Sequence, residues 1–348
     1  MQRKPPFCTQ SVFCLGILIV CVVITMFAAG CGDNNAHDKS RNRLKIGLMI
    51  TPHGLNDKGF NDYAYDGLKE AEKKYNIEGT IIEPSTMKDL EASLRFFAGQ
   101  KFDAIIAVGA GFTDAIRIIA SENPDLNFYV IDSDINEGRI RGISFREDEG
   151  SYLCGYLAAK MSKTKKLGFI GGLKIPVIER FAVGYRNGVL AAASSAEVIE
   201  RYVATDFSGF NNAKEASRIA QEMYQSGCDV IFPAAGASGL GVIAAAVKTR
   251  NFVLGVDMNQ DSLAPGLVLT SMLKRVDLVV EDIIRSLCEN GNPELVKRSY
   301  GLSDGAIGLT DFQLSFKVVG EDLINELGRI RKLIIDKKII TNKVEGLN

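Results

Sequence analysis

Few residues in this chain have the types and spacing that enzymatic catalysis requires. Its 348 residues include two histidines, His37 and His53, and a Ser-His-Asp arrangement would have to use one of them. The run Gly109-Ala110-Gly111 begins like a dinucleotide-binding fingerprint, but Asp114 stands where the third glycine belongs. The phosphate-binding pattern GxxxxGK[ST] does not occur. The sequence therefore predicts a protein that is not an enzyme and that uses no cofactor or metal.

Three aspartates are candidates for a polar site. Asp132 ends the run FYVID, and Asp257 directly follows the run FVLGV. Ligands bind beyond the carboxyl ends of the strands in open α/β sheets, so both side chains are expected at a ligand cleft. Together with Asp57 they also supply the carboxylates that glycoside hydrolysis would need, and this alternative stays open. For Asp132, a helix-capping or turn role is a second alternative.

Alternating strands and helices are predicted to position these residues. Short apolar runs, each too short for a stable helix, predict buried parallel strands at residues 44–50, 104–108, 128–132, 167–170, 230–232 and 252–256. Helical spacing of apolar residues occurs at 63–75, 90–97, 152–161, 181–192, 213–224, 240–247 and 278–288, and a last helix is expected near 321–337. This alternation predicts an α/β fold with parallel sheets and right-handed crossovers.

The folded part is long enough to divide into two lobes, because single cores rarely grow beyond about 250–300 residues. Two segments, 143–149 and 268–274, are predicted to cross between the lobes and to form a hinge of several crossings. We predict a first lobe from residues 44–145 with about 257–274. The second lobe is predicted from residues 146–256 with about 275–340.

The N-terminus carries a targeting signal. Arg3 and Lys4 precede an apolar stretch at residues 12–27, which is followed by three small residues and then Cys31. This order is typical of a secretory signal, and we predict a signal peptide at residues 1–30. The small residues before Cys31 resemble the lipobox of bacterial lipoproteins, which implies a lipidated cysteine. An uncleaved signal-anchor helix is the alternative, and both place the folded part outside the cytoplasm.

Residues 31–43 are predicted to be a flexible tether behind the lipidated Cys31. The run DNNAHDKSRNR is polar and charged and has no apolar periodicity, so it cannot bury a face against a core. The chain as a whole has a net charge of -1 from 41 basic and 42 acidic residues. This balance offers no electrostatic attraction for nucleic acid, which is not expected as a partner.

Six motifs occur in series along the folded part: NDKGFN at 56–61, DEGSYLCGYLAA at 148–159, GFNNAKEA at 209–216, FPAAGASGLGV at 232–242, LGVDMNQD at 254–261 and LTSMLKRVD at 269–277. Together they resemble those of the basic membrane protein family of lipoproteins, whose best understood members are purine nucleoside receptors of transport systems. The resemblance covers about residues 45–315 and implies a type I periplasmic-binding-protein fold with two Rossmann-like lobes and parallel sheets.

The resemblance implies an aromatic pair around a nucleobase. One phenylalanine comes from each lobe, and the matching positions are Phe60, in the run that ends at Asn61, and Phe210. Phe207 competes with Phe210 if the loop is shifted. Asn61 is a further expected ligand contact. Stacking a base on an aromatic ring contributes about 1–3 kcal/mol, although each phenylalanine has core packing as its alternative role.

The resemblance also implies a set of contacts for the ribose. Gly236 would let the ligand approach the backbone, Asp257 would accept hydrogen bonds from two hydroxyls, and Lys274 would donate to their oxygens. Asp132 is the remaining polar candidate. The alternative for Asp257 and Lys274 is an ion pair that holds the strand ends together, and the two roles are compatible.

Thr51 departs from the family pattern. Relatives with purine nucleoside specificity carry an aspartate there, facing the edge of the base. A hydroxyl carries no charge, and losing a charged hydrogen bond costs roughly 1.5–3 kcal/mol unless another group replaces it. His53 is a candidate replacement, with an exposed loop histidine as the alternative.

Together these features predict a membrane-anchored lipoprotein on the periplasmic or extracellular side of the cell membrane. It would capture a nucleoside, with purine as the favoured base, and deliver it to an ABC-type permease. One alternative is a binder of a sugar or another small solute. The other is a surface-exposed adhesin or antigen, for which a binding patch would be formed by Arg329, Arg331, Lys332, Lys337 and Lys338.

Overall fold

A computed structural model describes residues 43–52, 54–290 and 295–342, without the side chain of Asn290. The predicted signal peptide, Cys31, the start of the tether and His53 lie outside these ranges. None of the described helices is both long enough and apolar enough to cross a membrane.

The strands in the described residues follow the predicted alternation. They are β1 (Leu44–Met49), β2 (Ile77–Ile82), β3 (Ala104–Val108), β4 (Asn127–Ile131), β5 (Asn136–Glu137), β6 (Ile140–Phe145), β7 (Lys166–Gly171), β8 (Glu197–Tyr202), β9 (Val230–Ala234), β10 (Phe252–Asp257), β11 (Val268–Lys274), β12 (Ser299–Tyr300) and β13 (Ile307–Leu309).

Amphipathic helices connect most of these strands. They are α1 (Phe60–Lys74), α2 (Leu90–Gly99), α3 (Thr113–Glu122), α4 (Glu147–Met161), α5 (Pro176–Ala192), α6 (Ala213–Gln225), α7 (Gly239–Thr249), α8 (Val276–Asn290), α9 (Phe316–Val319) and α10 (Glu321–Ile335).

The strands pair into two sheets with the same internal order. The first reads β2-β1-β3-β4-β6-β12, with β5 added antiparallel to β6, and the second reads β8-β7-β9-β10-β11-β13. Along each sheet the pairing is parallel, except that β13 runs antiparallel to β11. The prediction of an α/β fold with two Rossmann-like lobes is therefore confirmed.

The course of the chain between the sheets differs from the predicted grouping. Residues 257–274 were assigned to the first lobe, yet β11 pairs with β10 and β13 in the second sheet. The connection from β10 to β11 carries only the 3-10 turn Asp261–Leu263, and β11 lies parallel beside β10. The chain then enters the first lobe, where α8 packs closely against α1: a Cβ on Gly67 of α1 would lie 2.5 Å from the carbonyl oxygen of Asp277 in α8. Further along, β12 pairs with β6 in the first sheet.

Helices α4 and α5 pack unusually closely in the second lobe. A Cβ on Gly155 would lie 2.0 Å from the carbonyl oxygen of Tyr185, and one on Gly188 would lie 2.0 Å from that of Tyr152. Any side chain at either glycine would force the helices apart. This packing fixes the first turns of both helices beside the carboxyl ends of the strands.

Candidate ligand-binding site

The carboxyl ends of both sheets face one cavity that holds about 800 Å³ of empty space, its opening included. The first lobe contributes the segments after β1, β2, β3 and β4, and the second contributes those after β7, β8 and β9 together with the ends of β10 and β11. Seven of the eight predicted ligand-binding residues line the cavity: Thr51, Phe60, Asp132, Phe210, Gly236, Asp257 and Lys274.

Phenylalanines from both lobes line the cavity. Phe60 is the first residue of α1, and Phe210 ends a 3-10 turn, Phe207–Phe210, that follows β8. Phe207 also lines the cavity, with its ring centroid 6.2 Å from that of Phe210. Both Phe60 and Phe210 are half-buried.

Gly236 brings the backbone close to this aromatic wall. It begins the 3-10 turn Gly236–Ser238 with φ +53°, a conformation that favours glycine. A Cβ at this position would lie 3.3 Å from the carbonyl oxygen of Phe210. The absence of a side chain therefore keeps this part of the cavity open beside Phe210.

A buried ion-pair cluster lies at the base of the cavity. The Lys274 Nζ atom is 2.7 Å from Asp132 Oδ1 and 3.0 Å from Glu147 Oε1, and the side chains of Lys274 and Glu147 are 2% and 0% exposed. Arg180 Nε donates a hydrogen bond of 2.7 Å to the other carboxylate oxygen of Glu147. The expected pairing of Lys274 with Asp257 is therefore wrong, since Asp132 and Glu147 hold the ammonium group instead.

The charges of this cluster support one another. Burial raises the pKa of Asp132, and the neighbouring Lys274 opposes that effect. For Lys274 itself, burial lowers the pKa, but Asp132 and Glu147 raise it more, so the net pKa lies above its usual value. The ammonium group therefore stays charged, and its centre lies 5.1 Å from the Phe60 ring centroid.

Asp257 differs from the rest of the site because its carboxylate accepts no hydrogen bond from any residue that the structure describes. The residue is 7% exposed and has φ +64°. Burial raises its pKa to about 7, Lys274 opposes the shift, and the nearby Asp57 adds to it. A buried carboxylate without donors is unfavourable on its own, and its oxygens can accept hydrogen bonds from a ligand.

Asp57 holds the start of α1 in place. Its carboxylate accepts hydrogen bonds from the backbone N–H groups of Gly59 (2.9 Å), Asn61 (2.9 Å) and Asp62 (3.2 Å). These bonds fix the turn that carries Phe60. Burial raises the pKa of Asp57, and the three hydrogen bonds oppose that shift. Asp57 also lines the cavity, although it was predicted only as a possible catalytic carboxylate.

Asn61 lies behind the cavity wall. Its side-chain Nδ2 donates to Thr51 Oγ1 (2.8 Å) and to the carbonyl oxygen of Gly54 (2.9 Å), and its Oδ1 accepts from the Thr51 N–H (3.2 Å). The structure thus gives Asn61 a positioning role for Thr51. On the other side, the Thr51 methyl carbon would be 3.2 Å from a Cβ on Gly109. Thr51 turns its methyl group, and not its hydroxyl, toward Gly109.

The chain contains one sequence motif that is typical of a nucleophilic serine in enzymes, but the motif does not adopt the conformation that this role requires. Residues 301–305 read GLSDG, which fits GxSxG, a motif that requires a strand, a sharp turn and then a helix. Here Leu302–Asp304 is a 3-10 turn before β13, and the exposed Ser303 hydroxyl donates to Asp304. In the described ranges no three His, Cys, Asp or Glu side chains are grouped to hold a metal ion.

Sequence comparisons give a consistent match over nearly the whole chain. Residues 45–345 match the family described as ABC transporter substrate-binding protein PnrA-like. A CD4+ T-cell-stimulating antigen of Listeria innocua is 30% identical over 92% of this chain and 95% of its own length. Basic membrane protein B of Borreliella burgdorferi is 32% identical over 92% of this chain and 99% of its own.

Solved structures share the fold. A solute-binding protein of an ABC transporter system from Aeropyrum pernix superposes with a TM-score of 0.74 at 22% identity, covering 87% of this chain and 94% of that chain. A periplasmic solute-binding protein from Actinobacillus succinogenes, bound to D-allose, gives a TM-score of 0.61 at 16% identity, covering 79% and 100%. The type I periplasmic-binding-protein fold is therefore confirmed, and the chain belongs to the PnrA-like family of ABC transporter substrate-binding proteins.

Proposed function

We propose that this protein is a lipid-anchored receptor that captures a nucleoside in the cavity between its lobes and delivers it to an ABC-type permease. The substrate-binding role follows from the family, and the nucleoside and the lipid anchor are the proposed part. The observation that carries the proposal is the buried carboxylate of Asp257, which accepts no hydrogen bond from the described residues, in a cavity that Phe60 and Phe210 also line.

Asp257 and Lys274 suit the ribose end of such a ligand. The two oxygens of Asp257 can accept from two neighbouring hydroxyls, which would replace the hydrogen bonds that burial removes. Lys274 has three N–H donors, of which one is hydrogen-bonded to Asp132, while its contact with Glu147 is an ion pair. A further donor can reach a hydroxyl oxygen of a ligand, because Lys274 also lines the cavity.

The aromatic side chains suit a flat base. Phe60 belongs to the first lobe and Phe210 to the second, so a ring between them would draw the lobes together. The cavity wall carries the carboxylates of Asp57, Asp132 and Asp257 and, among its described residues, a single cation, Lys274. This excess of negative charge disfavours a phosphate group and favours an uncharged ligand.

The anchor and the location are expected from the sequence. Lipidation of Cys31 would hold the folded part on the outer side of the cell membrane, and the tether at residues 31–43 would let it reach a permease. Replacing Cys31 with serine should release the protein from membranes after cell fractionation. A variant that stays fully in the membrane fraction would instead support the uncleaved signal-anchor helix.

A second candidate function, surface exposure as an adhesin or antigen, has support from two observations. A relative at 30% identity is called a T-cell-stimulating antigen. The basic side chains proposed as a patch are all exposed, although Arg331 donates to the carbonyl oxygen of Leu302 and Lys338 lies 3.8 Å from Asp336. Saturable binding to host matrix that is lost on replacing Arg329 and Lys332 with glutamine would support it.

Calorimetric titration tests the nucleoside proposal. The full-length chain, denatured and refolded in detergent to remove bound solute, is titrated with adenosine, guanosine, inosine, uridine and ribose. We expect saturable binding of purine nucleosides that is weakened about a hundredfold in Asp257→Asn and retained in Asp125→Asn, an exposed control in the first lobe. Binding of ribose alone, or of none of these solutes, would overturn the proposal.

A further inference from the structure

A buried glutamine joins the two walls of the cavity. Gln260 follows β10 in the second lobe and is 2% exposed. Its side-chain Nε2 donates a hydrogen bond of 3.0 Å to the carbonyl oxygen of Lys58, which belongs to the first lobe. Gln260 itself is not part of the cavity lining among the residues described. It therefore connects the lobes beside the ligand site without facing the ligand.

The second lobe holds this donor rigidly. The Gln260 Oε1 atom accepts from the Val256 N–H at 3.1 Å, and the Gln260 N–H donates to Ser271 Oγ at 2.9 Å. Ser271 Oγ in turn donates to Asp261 Oδ1 at 2.6 Å. With its acceptor and its backbone engaged within its own lobe, the side-chain amide directs its N–H group at the other lobe.

The first lobe holds the acceptor just as firmly. Lys58 has φ +51°, and its N–H donates to Asp62 Oδ2 at 2.9 Å, while the Asn56 N–H donates to Asp62 Oδ1 at 2.7 Å. Phe60 follows two positions later at the start of α1. The two lobes also come close at Gly59, where a Cβ atom would lie 3.6 Å from Asp257 Oδ2. The contact therefore sets the distance between the Phe60 turn and the strand end that carries Asp257.

We propose that the hydrogen bond from Gln260 to Lys58 is a latch that stabilises the closed arrangement of the lobes. This inference depends on the proposed function in one respect, namely that a solute binds in this cavity. Gln260 is a positioning residue, and the latch contributes to the closed state alone. Its loss should weaken binding of every solute by the same factor and leave the ranking of solutes unchanged.

Gln260→Glu tests the latch with little change in shape. The carboxylate still accepts from the Val256 N–H, but it has no N–H to donate to the Lys58 carbonyl oxygen. We expect adenosine, guanosine and inosine each to bind about tenfold more weakly, mainly through faster dissociation, the factor expected for one lost hydrogen bond. Gln313→Glu, at an exposed site of the same lobe whose hydrogen bonds within the described ranges go to Asp311, should bind normally.

A distance measurement without ligand separates this inference from the nucleoside proposal. Spin labels on Lys88→Cys and Thr205→Cys report the separation of the lobes in the full-length chain. Both positions are exposed, and they lie one residue from Met87 and two residues from Phe207 of the cavity wall. Gln260→Glu should shift the ligand-free distances toward longer values, even if no nucleoside binds. Unchanged distances together with unchanged affinities would overturn the latch. A changed ranking of solutes would also overturn it, because Gln260 would then contact the ligand.

Discussion

The two lobes place an aspartate at the same topological position and use it differently. Asp132 directly follows β4 and Asp257 ends β10, and these strands are equivalent in the two sheet orders. Both residues have a left-handed backbone, with φ +67° and +64°. Yet Asp132 is paired with Lys274 at 2.7 Å, whereas Asp257 accepts no hydrogen bond from a described residue.

The difference shows that sheet topology fixes where a carboxylate stands, and its neighbours decide what it does. The Lys274 ammonium group lies between Glu147, at the start of α4, and Asp132 of the first lobe, and it neutralises Asp132. Asp257 is left beside Asp57, and burial raises its pKa to about 7. An unpaired buried carboxylate lowers stability, and its retention at a cavity wall is typical of a functional site.

The largest expected effect is on the stability of the chain when Asp132, the aspartate paired with Lys274, is replaced. Asp132→Asn leaves Lys274 with Glu147 alone, and breaking a buried ion pair typically costs about 3–5 kcal/mol. We expect the free energy of unfolding at neutral pH to fall by about that amount in urea titrations. Asp134→Asn is the control, because Asp134 is largely exposed and 4.0 Å from Arg180, and its loss should matter little. Equal stability of both variants would show that Asp132 is not structural.

Asp257→Asn should behave in the opposite way. Removing the charged acceptor should weaken nucleoside binding by about a hundredfold, as expected for hydrogen bonds to a charged group. The folded pKa of about 7 lies above the ordinary value of 3.8, so the folded chain retains the proton between these values. The free energy of unfolding therefore falls as pH rises through this window.

Asparagine does not ionise, so the Asp257→Asn variant lacks this fall in the free energy of unfolding with rising pH. The difference in unfolding free energy between Asp257→Asn and the parent chain, measured by urea unfolding, should favour the variant by roughly 2–3 kcal/mol more at about pH 8 than at about pH 5. A destabilised Asp257→Asn at both pH values would mean that the two aspartates have the same structural role. The contrast between the lobes would then fail.

The pH dependence of binding sharpens the comparison further. Hydroxyl donors favour the ionised form of Asp257, so binding must expel its proton below a pKa of about 7. Affinity should be constant above about pH 7 and should fall toward a limit of about tenfold per pH unit below it. Calorimetry in buffers of different ionisation enthalpy should detect the released proton. In Asp257→Asn the residual affinity should not change between about pH 6 and pH 8.

The fold could be predicted from the sequence because its central strands are buried on both faces. All six predicted strands are present, with ends within two residues of the expected ones. The edge strands β2 and β8 were missed, since most of their residues are only partly buried and give no continuous apolar run. The lobe assignment of β11 was wrong because an apolar run does not reveal which sheet edge it joins.

The site could be predicted only in part. The strand-end rule and the family motifs located Asp132 and Asp257, but Glu147 and Gln260 were missed. Glu147 lies in the acidic run at residues 147–149, which resembles an ordinary first turn of a helix. Only the close packing of α4 and α5 shows that this carboxylate is fully buried beside Lys274. Gln260 gave no signal, because its partner Lys58 is distant in sequence and offers a backbone carbonyl.

A smaller effect is expected at the aromatic ring of the first lobe. We expect the first lobe to contribute to binding through the Phe60 ring and not through the Asp132 carboxylate. Phe60→Ala should therefore weaken nucleoside binding by about tenfold, from the loss of about 1–3 kcal/mol of stacking. Phe96→Ala, at a ring 52% exposed on α2, is the control and should bind normally. Unchanged affinity in calorimetry would remove Phe60 from the site.

The smallest effect tests whether the first-lobe wall offers the ligand any side-chain hydrogen bond. The Thr51 hydroxyl lies 2.8 Å from the Asn61 amide nitrogen, and its methyl group faces Gly109. Thr51→Val keeps a methyl group there, so nucleoside affinity should change by less than about threefold, although the lost bond to Asn61 should lower stability by about 1 kcal/mol. A tenfold loss of adenosine affinity with normal uridine binding would show instead that the Thr51 hydroxyl contacts the base. Base recognition would then depend on the first lobe and ribose recognition on the second.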